Sequence, residues 1–303
     1  MKYLYKLFIL AFFLLSLSSL MAQASVTKIG IKTIGFRTEK KIVLRWVLDD
    51  AKQWRYALKK GFDVERAEGN SNKFIKLNKS VILPISAEQL FKYDTNSLVI
   101  QAMGYLLTEP KSEDDSGVQD DKLYNVYFLN ASYETEAAVQ TASGFIDTTI
   151  EKGKSYTYRV RVANTTITQT IGKTIVTADI PLMPKSPKLN AVFGDGTVAF
   201  NWNIKDVDDY YFATLLERST DSINFKRIGQ PYIKYPNEGD SPIDSVTLSA
   251  TDSIPNNIKF YYRIKCVNLF GLTSKPNNVV TGMGMPKLEV VPQIKSVDPT
   301  NKN

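Results

Sequence analysis

Two segments of this chain are copies of one strand. Residues 154–164 read KSYTYRVRVAN, and residues 259–268 read KFYYRIKCVN. In the first, Tyr156, Tyr158, Val160 and Val162 alternate with Thr157, Arg159 and Arg161. A period of two puts each set on its own face of an extended strand. Tyr, Val and Thr also suit a pleated, half-buried surface. In the second copy Phe260, Tyr262, Ile264 and Cys266 take the inward positions, and Tyr261, Arg263 and Lys265 the outward ones. A strand with one apolar face needs a second sheet over it, which is the sandwich solution.

The repetition extends along the chain. Ile42, Leu44 and Trp46 alternate with outward Val43 and Arg45, and Val198, Phe200 and Trp202 echo them. Val64-Glu65-Arg66-Ala67 returns as Leu216-Glu217-Arg218-Ser219, and Phe74-Ile75-Lys76-Leu77 as Phe225-Lys226-Arg227-Ile228. Matched segments in the same order predict two copies of one domain. Residues 171–178 are the expected last strand of the first copy. Pro181, Pro184 and Pro187 punctuate 181–187, a short stiffened linker. The reading is a first domain at 25–180 and a second at 188–285.

A strand ending in Trp, a strand ending Val64-Glu65-Arg66, and then Tyr156-x-Tyr158-Arg159-Val160-x-Val162-x-Asn164 resemble the fibronectin type III family. Gly153-Lys154-Ser155-Tyr156 is similar to its turn and tyrosine corner. The resemblance reaches bacterial secreted proteins with such modules in tandem. It implies an all-β fold of two tandem immunoglobulin-like β-sandwiches. It also implies a Tyr156 ring packed inward with its hydroxyl bonded to the backbone, and a turn role for Asp147. Phe260 stands where Tyr156 stands, so the second corner lacks that hydroxyl or supplies it otherwise. Trp46, Tyr156, Tyr158, Trp202, Tyr262 and Cys266 are expected to be structural, Cys266 as a buried small hydrophobe. Such a fold hosts many functions, so the resemblance implies no activity.

A module of this type needs about 100 residues, and the first domain is half as long again. The excess lies at 81–145. Ser86-Ala87-Glu88-Gln89 is a capping box. Leu90, Phe91, Leu98, Val99, Ala102, Tyr105 and Leu106 then recur at mostly helical spacing. Leu123, Val126, Tyr127, Asn130, Ala137, Ala138 and Thr141 suggest a second helix. The expectation is a helical hairpin inserted between strands. Between the helices, Glu113, Asp114, Asp115, Asp120 and Asp121 could form a calcium loop or a solvated turn. Their spacing does not match an EF-hand, and no metal site is assigned. Residues 49–60 read as a connection holding Trp54, Arg55 and Tyr56. These three are the candidate binding residues, as an aromatic platform for a sugar or partner protein. The competing reading packs Trp54 over the sandwich mouth or against the inserted helices.

Residues 1–24 read as a signal peptide: Lys2 and Lys6, an apolar run at 7–20, then Ala22-Gln23-Ala24. The run is short for a membrane span. The expected location is outside the cytoplasm — secreted, periplasmic or at the cell surface — with no stable transmembrane segment after cleavage. Loss of Lys2 and Lys6 lowers the formal charge from +7 to +5. The basic residues are scattered along the chain, so no nucleic-acid partner is read. With no His, triads and metal sites that need one are excluded. A single Cys allows no intrachain disulfide. No catalytic residue and no cofactor are assigned. Asp206, Asp208 and Asp209 share one loop, which is not the facing pair glycoside hydrolysis requires. Asp147-Thr148, Asp221-Ser222, Asp244-Ser245 and Asp252-Ser253 are similar to a bacterial O-glycosylation sequon, although Asp-Ser is also ordinary turn chemistry. Residues 286–303 read as a tail or as the start of a truncated third module. The function expected is a non-catalytic exported binding or spacer protein, making contacts with a protein or glycan of the cell envelope. The alternative is a component of a polysaccharide-acting enzyme using carboxylates of the first domain. A third reading, a subunit of an outer-membrane or secretion assembly, predicts an exposed apolar patch on the inserted helices.

Overall fold

The computed structural model describes residues 26–95, 97–108, 118–233 and 247–287. The expected leader, residues 113–117 of the acidic stretch, Asp244-Ser245 and residues 288–303 of the tail lie outside the described residues. The chain divides into two compact units. The first runs to Pro184 and also takes in Asp209–Ala213 and Cys266–Ser274. The second holds Lys185–Asp208, Thr214–Lys265 and the chain from Lys275 onward.

The first unit contains a sandwich. Strands β1 (Lys28–Arg37), β2 (Ile42–Leu48), β3 (Phe62–Glu68), β4 (Ile75–Lys76), β5 (Gly144–Asp147), β6 (Tyr156–Val162), β7 (Thr168–Ile171) and β8 (Lys173–Val176) form two sheets. Their orders are β5-β2-β1-β7 and β4-β3-β6-β8. The second unit repeats the plan with β9 (Asn190–Phe193), β10 (Thr197–Asn203), β11 (Ala213–Ser219), β12 (Lys226–Ile233), β13 (Thr247–Ser253), β14 (Lys259–Val267) and β15 (Val280–Met283). Here the orders are β13-β10-β9 and β12-β11-β14-β15. In both sandwiches the first, second and fifth strands share one sheet and the third, fourth and sixth the other, the fibronectin type III arrangement.

The expected last strand at 171–178 is split. Gly172 is the switch: β7 pairs in parallel with β1, whereas β8 pairs with β6 in the other sheet. The Gly172 amide donates to the Ile31 carbonyl at 2.8 Å, and a Cβ there would lie 2.9 Å from that oxygen.

Core side chains sit on the inward positions. Trp46 meets Phe62 at 5.3 Å between ring centroids, and Trp202 meets Tyr232 edge-on at 5.1 Å. Tyr158, Tyr262 and Cys266 are buried. The Glu151 amide donates to the Tyr156 hydroxyl at 2.9 Å, which closes the first corner. Phe260, its counterpart, is buried without a hydroxyl, and the Arg218 guanidinium lies 5.3 Å from its ring.

Equivalent strands differ in their outer faces. On β10, outward Ala199 and Asn201 are exposed. On β2, outward Val43 and Arg45 are fully buried. Arg45 is therefore not a solvent-facing residue, because helices cover this face.

Those helices also depart from a hairpin. Residues 49–60 are mostly helix α1 (Ala51–Lys60), not an open connection. Asp50 caps it by accepting from the Gln53 amide at 2.8 Å. Gly61 ends it at φ 77°, where a Cβ would lie 2.7 Å from the Ile82 carbonyl oxygen. The insertion itself forms α2 (Ala87–Tyr93), α3 (Leu98–Thr108), α4 (Val118–Tyr133) and α5 (Thr135–Gln140). The Ser86–Gln89 capping box starts α2 in both directions, at 3.2 and 2.8 Å. Asp94 leaves the helical region, and the Ser97 hydroxyl accepts from the Ile100 amide at 3.1 Å to start α3. Glu134, extended at φ −138°, separates α4 from α5. The spacing of apolar residues was helical throughout; the caps, not the spacing, divide it.

Candidate interaction surface of the inserted helices

Arg45 shows what the insertion does on its inner side. Its Nε donates to the Ser143 carbonyl at 3.1 Å. Nη1 donates to the carbonyls of Ala131 at 2.7 Å and Leu269 at 3.2 Å, and Nη2 to the Ser132 hydroxyl at 3.3 Å. The guanidinium also lies 5.2 Å from the Phe128 ring. Ala131 and Ser132 belong to the last turn of α4, where orphan carbonyls and the helix dipole favour a cation. Burial lowers the guanidinium pKa to about 9, so it is still charged at neutral pH. Segment Cys266–Ser274 joins this packing within the first unit. The Thr135 hydroxyl donates to the Phe270 carbonyl at 2.6 Å, and Phe270 meets Phe36 at 5.3 Å.

The candidate binding residues on α1 serve the same seam. Trp54 is 4% exposed, with its ring 5.3 Å from Tyr124 and 4.8 Å from Tyr127 of α4. Arg55 Nη2 lies 2.7 Å from buried Asp120, and the Tyr56 hydroxyl is 2.7 Å from that of Thr165. Trp54 thus offers no exposed platform; it packs against the inserted helices. The signal was in the sequence: Ala51, Trp54, Ala57 and Leu58 keep helical spacing between Asp50 and Gly61, a capping residue and a stop. A cavity of ≈ 10 Å³ touches Trp46, Trp54, Tyr124 and Tyr127. That is room for about one water, not for a substrate.

Outward, the insertion presents aromatic rings. Tyr105 on α3 is 66% exposed and lies 4.9 Å from the Phe91 ring of α2. Gly104 lets Phe91 approach, since a Cβ there would meet the ring at 2.6 Å. Tyr93 is 49% exposed, and its hydroxyl donates to Glu136 at 2.5 Å. Val126 on α4 is 45% exposed. Helix α3, LVIQAMGYLLT, has no charged residue.

The carboxylates are otherwise engaged. Asp147 accepts from the Tyr158 hydroxyl at 2.7 Å and from Arg66 Nη1 at 2.7 Å. Asp252 repeats this with Tyr262 at 2.8 Å and Arg218 at 2.9 Å. This repeated Tyr–Asp–Arg triad is not legible in the sequence, where Asp147 and Asp252 read as turn or sequon residues. Burial opposes the charge on Asp147, yet hydrogen bonds from Thr149, Tyr158 and Arg66 outweigh it and hold the carboxyl below its usual range. A depressed native pKa stabilises the fold above the unfolded value near 3.9, and that gain is lost as pH falls through the native pKa. Asp147→Asn is expected to cost about 2 kcal/mol at pH 7, with the deficit closing in acid. Urea denaturation at pH 7 and near pH 3 checks this; a deficit independent of pH rejects it.

Among the described residues, no three or more Cys, Asp or Glu side chains converge as a metal-binding group. Asp120 of the acidic stretch is paired with Arg55. Burial, with nearby Asp50, raises the Asp121 carboxyl. Thr148, Ser222 and Ser253 of the sequon-like pairs are exposed.

No protein-family model matches the sequence, and no curated protein matches it. Similar solved structures include the chicken CNTN1 FN1-FN3 domains, at 7% identity and TM-score 0.35, covering 89% of this chain and 65% of that one. A β-1,2-glucanase from Parabacteroides distasonis is similar at 13% identity and TM-score 0.29, over 77% of this chain and 26% of its own. The chicken interferon gamma receptor alpha chain is similar at 10% identity and TM-score 0.24, over 84% and 97%. The chain spans less than two thirds of the first two structures. Strand order and register define the fold here, and these likenesses add nothing about activity.

Proposed function

We propose that this chain is a non-catalytic, exported binding or spacing protein of the cell envelope. Its partner, a protein or glycan, docks on the outer face of α2 and α3. The observation that carries this reading is the pair Tyr93 and Tyr105, half and two-thirds exposed on helices that pack on each other and, through α3, on α4 and α5. Helix α3 carries no charged residue beside its exposed tyrosine, and that is the composition of an interface centre, whereas Glu88 and Lys92 of α2 pair with each other at its edge. The engagement of Asp120, Asp147 and Asp252 in ion pairs also supports a binding role over carboxylate catalysis.

Excising the whole insertion would bare Arg45 and the outer face of β2, so the test needs surface substitutions. The mature protein and Tyr93→Ser/Tyr105→Ser, matched in thermal stability, are used as bait against the envelope fraction and a glycan array. Retention of a partner or glycan that falls about tenfold in the variant is expected. Equal retention by both proteins overturns the reading.

A further inference from the structure

Basic residues scattered in the sequence converge on the outer face of the β4-β3-β6-β8 sheet. Register places Lys76, Glu65, Arg159 and Lys173 in one row across the four strands. Arg159 Nε donates to Glu65 Oε2, and its guanidinium lies 4.0 Å from the Phe74 ring centroid. Arg161 Nη1 is 3.9 Å from the other Glu65 oxygen, and its side chain is 47% exposed. The second sandwich carries the same cluster. Arg263 Nε is 2.5 Å from Glu217 Oε2 and its guanidinium 4.0 Å from the Phe225 ring, while Lys265 Nζ is 3.3 Å from Glu217 Oε1.

Glu65 lies between Arg159 and Arg161, with Asp63, opposite Arg161 in the register, paired to Lys76 at 2.7 Å, and Glu217 lies between Arg263 and Lys265. One cation neutralises each glutamate; the second leaves a surplus positive charge at a position set by the strand. Arg161 and Lys265 share a strand face with Arg159 and Arg263, so each adds a like charge beside one already paired. We propose that these two clusters bind the anionic groups of an acidic polysaccharide. Arg161 and Lys265 take the sugar carboxylates, while Glu65 and Glu217 stay beneath them and hold the paired arginines in place. The mixed signs favour a glycan over nucleic acid. A nucleic-acid duplex carries one negative charge per about 1.7 Å of helix axis, a density that the central carboxylates oppose. Phe74 and Phe225 are already covered by guanidinium groups and Tyr261 by the Lys259 ammonium, which reduces the ring surface open to base stacking. This surface is distinct from the α2–α3 face and stands without it.

The test measures affinity of the mature protein for polygalacturonate, with dextran as the uncharged control. Arg161→Gln/Lys265→Gln is expected to weaken binding about tenfold, because the primary pairs Arg159–Glu65 and Arg263–Glu217 remain to hold the sheets. Lys40→Gln/Lys122→Gln removes the same charge from exposed positions elsewhere and is expected to change affinity less than about twofold. Equal weakening by both pairs would mean net charge alone and overturn the proposal. So would absence of binding by the unsubstituted protein, or equally tight binding of an oligonucleotide of matched charge.

Discussion

Arg45→Met is expected to destabilise the first unit by about 3 kcal/mol. The loss follows from what the guanidinium satisfies. Its hydrogen bonds reach Ser143, Ala131, Leu269 and Ser132 across 86 to 224 residues of sequence. Methionine fills much of the volume but donates nothing, so buried carbonyls lose their partner. Removing a buried charge returns part of that cost, which keeps the figure below the full sum of the bonds. Arg45→Lys should not rescue, because a point ammonium cannot serve acceptors spread around a planar fork. The control is Asn201→Met at the equivalent, exposed position of β10. It is expected to lie within about 0.5 kcal/mol of the unsubstituted protein. Denaturant unfolding of the three variants reads this directly. Equal effects at positions 45 and 201 would show that Arg45 does not hold the insertion.

Trp46→Ala should cost about 5 kcal/mol and Trp202→Ala about 3, the upper and lower parts of the range for a buried indole. The cost of such a truncation depends on whether the surroundings can collapse into the space. Around Trp46 they are held from both sides: Phe62 packs beneath the indole, and β2 is covered outside by the Arg45 network and α4. Around Trp202 the outer face of β10 carries exposed Ala199 and Asn201, so that strand is free to relax inward. Paired unfolding measurements test the difference. A larger loss at Trp202 would reverse the argument about which sheet is clamped.

These two residues also mark the limit of sequence reading. Period-two alternation placed the inward faces of β2, β6, β10 and β14, because strand geometry ties each side chain's direction to its neighbours alone. The tyrosine corner was legible through the resemblance, since it spans only residues 151–156. Residues 50–60 carry a cap, a helical spacing and a stop, and these outweigh their reading as a connection between strands. The contrast between IVLRWVL and TVAFNWN carries the same kind of signal. A strand apolar on both faces is a strand buried on both faces, and the equivalent strand with polar alternation shows what the uncovered version looks like.

The repeated strands, the two sandwiches and the helical character of the insertion follow from patterns within a few residues of the chain. The burial of Arg45, the place of Trp54 in a seam, the closing of Tyr158 and Tyr262 on Asp147 and Asp252, and the face that Arg161 shares with Lys173 come from long-range packing. Each of these outcomes depends on which segments meet across the sheets. Neither hydrophobic period nor propensity carries that information, because a side chain's burial is settled by what lands on it.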